Sequence, residues 1–160
     1  MKSLFTTAAA FCVTLMGKVF ALVDGKRVRE ISAAEICALQ TNPSVNNFIL
    51  VDVRTEAEIS VSTIPGAITR DELEASLDDY RNHIVIAYCT IGGRSLIYAR
   101  RLSKHGIDSR NFKAGIVGWC VSGLPLASPQ GGETNQVHTH TVLFRVPQAY
   151  EQVTRVEKTQ

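Results

Sequence analysis

The sequence has no Cys-x-x-Cys pair and none of the Cys/His spacings that hold structural zinc, so no metal site is expected. It has no internal repeat and no low-complexity tract. An excess of one charge is nearly absent too. The net charge is +2, and two lysines that no acid balances, Lys2 and Lys18, lie in the first 21 residues. Beyond Ala21 the chain carries 15 basic and 15 acidic side chains. With no basic stripe interleaved with aromatics, no nucleic-acid partner is expected. What is present is ordinary globular material. At 160 residues, 45% hydrophobic and 20% charged, the chain can bury a core without metal or disulfide staples.

The N-terminus differs in kind. Lys2 precedes an apolar stretch from Leu4 to Gly17, and Val19-Phe20-Ala21 suits a signal-peptidase site. The pattern predicts a signal peptide over residues 1–21, cleaved after Ala21, and an exported (periplasmic or secreted) protein. The alternative is an uncleaved membrane anchor over residues 4–23. Lys18 interrupts it, and a spanning helix wants about 20 mostly apolar residues. Cleavage would leave Cys37, Cys89 and Cys120, an odd number with at least one thiol free or paired outside the chain.

Beyond the leader, strand and helix signals alternate. Ser32 and Glu35 form a reciprocal capping box, with Ile31 placed to staple onto Ile36, and Asn42-Pro43 ends that helix. Phe48 to Val53 is apolar except for Asp52, as a strand covered on both faces would be. A short helix is expected from Thr55 to about Ser60, then an extended piece after Ile64-Pro65-Gly66-Ala67, then a helix capped by Thr69 and Glu72 and running to Leu77. His83 to Tyr88 reads as a second buried strand, Ser95 to about Lys104 as a helix stopped at Gly106, Asn111-Phe112 as a short strand and Ile116 to Ser122 as a last helix. This alternation predicts an α/β fold, a parallel sheet with helices on both faces. Leu124 to Gly132 reads as a loop, Val137 to Val146 as a strand, and Val153 to Gln160 as a polar tail.

The chemistry concentrates at one strand end, where ligands of parallel sheets bind. Cys89 follows the second buried strand directly, and Thr90, Ile91, Gly92, Gly93, Arg94 and Ser95 lead into the next helix. Gly92 and Gly93 are suited to the positive backbone angles of a tight curl, which would turn successive amides inward as an anion nest. The following helix adds unpaired amides and the positive end of its dipole, and Arg94 adds a fixed charge. Cysteines in such electropositive settings titrate at about 3.5–7.5 instead of near 8.5, so Cys89 is expected to be a thiolate at neutral pH. Each feature alone also suits an inert buried cysteine beside a common turn; their coincidence in one stretch favours a nucleophile.

These residues carry a resemblance. Val51-Asp52-Val53-Arg54 through Glu58 with Ile64-Pro65-Gly66-Ala67, the loop Cys89 to Arg94, and Gly115 to Trp119 with Gly123-Leu124-Pro125-Leu126 resemble, in order, the motifs of rhodanese domains. The resemblance implies a rhodanese domain over residues 24–128, followed by a C-terminal extension over 129–160. It implies a sulfurtransferase in which Cys89 becomes a persulfide, Thr90 to Ser95 form the substrate-binding loop, and Asp52 and Arg54 support that loop. A sulfane-sulfur donor (thiosulfate or a persulfide) and a thiol or cyanide acceptor are implied as partners, with a protein partner as a further source of sulfur and no cofactor. A non-catalytic sulfur-binding or docking module is the alternative. A thiol-based phosphatase or arsenate reductase is the less favoured third reading, because the six-residue loop resembles sulfurtransferases more than the related phosphatases, whose loop is one residue longer. Thr90 and Ile91 stand where thiosulfate-using members often have arginine or lysine, which implies a weaker hold on a dianion.

Other candidates have plainer readings. His138 and His140, two apart, would share one face of a strand, either as an exposed polar edge or leaning over the site. Cys120 beside Trp119 is either core or a resolving thiol for Cys89.

Overall fold

Three Ser/Thr-x-x-Glu boxes start three of the helices. In each, the hydroxyl accepts from the backbone amide three residues on, and the glutamate accepts from the capping residue's own amide: Ser32 with Glu35, Thr55 with Glu58, Thr69 with Glu72. A cap of this kind contributes about 1 kcal/mol. The structure is a computed structural model that describes residues 27–42, 44 and 47–155. The expected signal peptide, the alternative anchor and Gln160 at the end of the expected tail lie outside the described residues.

The element order is β1 (Arg29–Ile31), α1 (Ala33–Thr41), β2 (Phe48–Asp52), α2 (Glu56–Ile59), β3 (Ile68–Thr69), α3 (Arg70–Ala75), β4 (Ile84–Tyr88), α4 (Gly93–Lys104), β5 (Ser109–Phe112) and α5 (Gly115–Val121). The five strands form one sheet in the order β1-β5-β4-β2-β3, with every pairing parallel. The α/β expectation holds. Side chains alternate across the sheet, so neighbouring residues enter different cores. Leu50, Ile86, Tyr88 and Phe112 pack with Ile36 of α1 and Ile116, Trp119 and Cys120 of α5. Val51, Val85, Ala87 and Cys89 pack with Leu73 of α3 and Tyr98, Ala99 and Leu102 of α4. Helices therefore cover both faces, and β2 and β4 sit centrally, as their apolar runs require.

Four readings need correction in the fold. β1 was not foreseen, because Arg29-Glu30-Ile31 is three residues long and mostly charged; it pairs at the sheet edge with β5. The strand expected from Val137 to Val146 is only β8 (Gln136–His138). Beyond it the Thr141 hydroxyl and carbonyl accept from the amides of Leu143 and Phe144, local bonds that compete with a strand ladder. The missing partner comes from later in the chain. Of the three strands β6 (Leu126–Ala127), β7 (Glu133–Thr134) and β9 (Glu151–Val153), β6 and β7 pair antiparallel, while β9 pairs parallel with β8. Val153 thus belongs to a strand, not to a tail, and Leu126–Ala127 forms a strand inside the stretch read as a loop, because β7 returns to pair with it. The extension joins the core: Val137 is fully buried in the α1/α5 half, Tyr150 packs there, and its hydroxyl donates to the Leu124 carbonyl at 2.8 Å.

Candidate active site

Central strand β4 ends in Tyr88 and delivers Cys89 to the carboxyl edge of the sheet. The chain turns there on Gly92, whose φ of +86° is closed to most side chains, and a Cβ on it would collide with the Lys113 carbonyl. Gly93 does not share the positive angle. It is already the first residue of α4, so the helix starts two residues before the expected Ser95. From below, Gly115, with φ +59°, lets α5 approach so closely that a Cβ would strike the Cys89 and Thr90 carbonyls. Those carbonyls accept the amides of Ile116 and Val117 at 2.9 and 3.2 Å.

The sulfur sits inside this curl. The Gly92 amide donates to Cys89 Sγ at 3.1 Å, and the Ser95 hydroxyl lies 3.6 Å from it. Burial disfavours the thiolate, but the Ser95 amide and hydroxyl and the amides of Ile91 and Gly92 outweigh it and hold the Cys89 thiol below its ordinary range. Asn111 of β5, which the sequence reading missed, fixes the curl from behind. Its Oδ1 accepts from the Ser95 hydroxyl at 2.7 Å, and its Nδ2 donates to the Gly92 carbonyl at 3.3 Å.

Two ion pairs surround the loop. Beneath it, Arg54 grips the Asp52 carboxylate through Nε and Nη2 at 2.7–3.1 Å and donates to the Ser62 carbonyl at 2.6 Å. Both side chains are buried and do not line the pocket at Cys89. Thr63 links this pair to β4, its hydroxyl 2.7 Å from the Tyr88 hydroxyl.

Arg94 is different. It binds Glu58 bidentately, Nη1 to Oε2 and Nη2 to Oε1 at 2.7 Å each, and Nη2 also donates to the Thr90 hydroxyl at 2.9 Å. Thr90 in turn donates to Glu58 Oε1 at 2.9 Å. Burial opposes ionisation of Glu58, yet the Arg94 guanidinium, the Thr55 amide and hydroxyl and the Thr90 hydroxyl hold its carboxyl well below the usual carboxylate range. Glu58 is therefore a charged member of the site as well as a helix cap. The sequence signal for it was the Thr55-x-x-Glu58 box.

Above the sulfur is a pocket of about 350 Å³ lined by Cys89, Thr90, Ile91, Gly93, Arg94, His140 and Phe144. Five of these are residues singled out from the loop; His140 and Phe144 come from the extension. The two histidines do not share a strand face. His138 is buried at the end of β8, whereas His140 is exposed in a bend with φ +66°, its amide donating to His138 Nδ1 at 3.2 Å. Burial pushes the His138 imidazole down, and the bond it accepts leaves its proton on Nε2. Cys120 is no resolving thiol. It packs on the opposite face of the sheet from Cys89, fully buried, with burial pushing its thiol up to about 12.

The Rhodanese-like domain family model matches residues 32–122, from the cap of α1 to the end of α5. The chain belongs to this family. A sulfurtransferase of Allochromatium vinosum is 32% identical over 111 residues, 65% of this chain and 99% of that one. Among solved structures, a rhodanese-like domain protein from Staphylococcus aureus is 27% identical with a TM-score of 0.51, covering 57% of this chain and 91% of the other. A thiosulfate sulfurtransferase from Pseudomonas aeruginosa is 27% identical with a TM-score of 0.56, over 65% of this chain and 21% of that longer one. The rhodanese-like match stops before β6, so His140 and Phe144 reach the pocket from outside the matched domain.

Proposed function

We propose that this protein is a sulfurtransferase that carries a sulfane sulfur as a persulfide on Cys89. The observation that carries the reading is the sulfur itself, held at 3.1 Å by the Gly92 amide at the base of an open pocket. The sulfurtransferase relatives support the same class of reaction. In the first step the Cys89 thiolate attacks the outer sulfur of the donor. The donor's S–S bond breaks, and the leaving group departs with its electron pair. The loop amides that favour the thiolate then face the persulfide, which also bears negative charge. In the second step a thiol or cyanide attacks the outer persulfide sulfur and returns Cys89 as thiolate. Thr90, Ile91, Gly92, Gly93 and Ser95 shape the cradle. Arg94 stands at its rim, paired with Glu58, and Asp52 with Arg54 steady the strand ends beneath.

The test is the intact mass of the reduced protein after incubation with sulfane-sulfur donors. One added sulfur atom is expected, removed again by cyanide, and Cys89→Ser should take up none, a loss of at least roughly a thousandfold. If no donor loads the wild type, the domain is a docking module and not a transferase. Export belongs to the same reading, on the strength of the Lys2 to Ala21 pattern; a mature N-terminus at Leu22 is the expected result of N-terminal sequencing.

A further inference from the structure

The charges at the mouth of the pocket do not suit an anionic donor. The Gly92 amide is engaged with the Cys89 sulfur at 3.1 Å. Arg94, the sole lysine or arginine in the lining, is neutralised by the ionised Glu58 that grips it. With Cys89 as thiolate, the trio Cys89, Glu58 and Arg94 is net negative, and a dianion must approach it through partly solvated space. The lining also has an apolar wall, made of Ile91, which is 46% exposed, and Phe144.

That wall is built in advance. Gln152 Nε2 lies 2.6 Å from the Thr139 hydroxyl, 3.0 Å from the Thr141 carbonyl and 3.2 Å from the Phe144 carbonyl. The Thr139 amide donates to Val153 of β9 at 3.0 Å, and the Thr139 hydroxyl to the Thr141 carbonyl at 3.0 Å. The segment 139–144 is thus tied at both ends to one glutamine. These bonds hold the backbone that carries Phe144, and an aromatic lining the pocket of a reactive sulfur suits the organic group of a substrate.

We infer that Phe144, presented by the C-terminal extension, is a specificity-determining residue that makes the Cys89 pocket select an organic hydropersulfide, R–S–S–H with an uncharged R, over thiosulfate. This rests on the persulfide-transfer reading. The step balances: the Cys89 thiolate bonds to the outer sulfur, which keeps its hydrogen, and the S–S bond of the donor breaks. RS⁻ departs with the electron pair and takes a proton from water. R packs against Ile91 and Phe144, and the trio at the mouth meets at most the single charge of an ionised hydropersulfide, against two on thiosulfate.

Quenched-flow mass spectrometry of the reduced full chain would follow sulfur loading from benzyl hydropersulfide, generated in situ, and from thiosulfate. The half-saturating concentration is expected to be at least about tenfold lower for the benzyl donor. Intrinsic reactivity cancels when the ratio of the two loading efficiencies is compared between variants. Phe144→Ala should shrink the benzyl preference about fivefold, and Phe144→Arg, which adds a cation at the mouth, should shrink it further or reverse it. Equal half-saturation for both donors in the wild type, or a ratio unmoved by either variant, would overturn the inference and leave the sulfurtransferase reading standing. If neither donor loads Cys89, both fall together.

Discussion

The two walls of the Cys89 pocket are made in opposite ways. One, Cys89 to Ser95, is a continuous piece of chain running from β4 into α4, and its working groups are backbone amides aimed at a sulfur. The other, His140 to Phe144, lies some fifty residues further on and works through side chains, held in place by the amide of Gln152. The first needs glycine and a central buried strand. The second needs the parallel pairing of β8 with β9. The first wall lies inside the residues the family model matches, and the second lies outside them.

Breaking the first wall, or the ion pair beneath it, should cost most. Asp52→Ala leaves the Arg54 guanidinium buried without its carboxylate, and a loss of about 3–5 kcal/mol is expected in urea unfolding. Gly92→Ala forces a Cβ into the Lys113 carbonyl at a positive φ; about 3 kcal/mol should go, together with most sulfur loading. The second wall is the softer one. Gln152→Leu removes the amide that ties Thr139, Thr141 and Phe144, and should cost about 1–2 kcal/mol. The comparison sharpens if this variant still loads sulfur on Cys89 but loses discrimination between donors. It breaks if Gln152→Leu abolishes loading as Gly92→Ala does.

This division also explains what could be read in the sequence. The first wall is local, so strand, cysteine, paired glycines and helix follow one another and each reports on the next. The capping boxes at Ser32 and Thr69 were legible for the same reason, since cap and glutamate are three residues apart. The Glu58–Arg94 pair joins residues 36 apart and depends on α2 lying beside the loop. Asn111 reads as one more strand residue until β5 is set next to β4, where it meets Ser95 and Gly92. Phe144 carries no local signal at all, and His140 carries only its spacing from His138, which fits an exposed edge as well as a place over the site. Their place follows from the bend after β8, where bonds to Thr141 and Gln152 override the alternation that suggests a longer strand.

The claim beneath all of this is that Cys89 is a poised thiolate, and the pH dependence of its alkylation tests that most directly. Iodoacetamide modification of the Cys89 peptide would be followed by mass spectrometry from acid to alkaline pH, with Cys120 as the internal contrast. The folded pKa of Cys89 is lowered, so the thiolate is lost only as pH falls through that lowered value. The rate should already be high at neutral pH, with its midpoint below the ordinary thiol value of about 8.5. Cys120, whose thiol is pushed up to about 12, should stay unmodified across the range. A Cys89 midpoint at or above the ordinary thiol value would contradict the account.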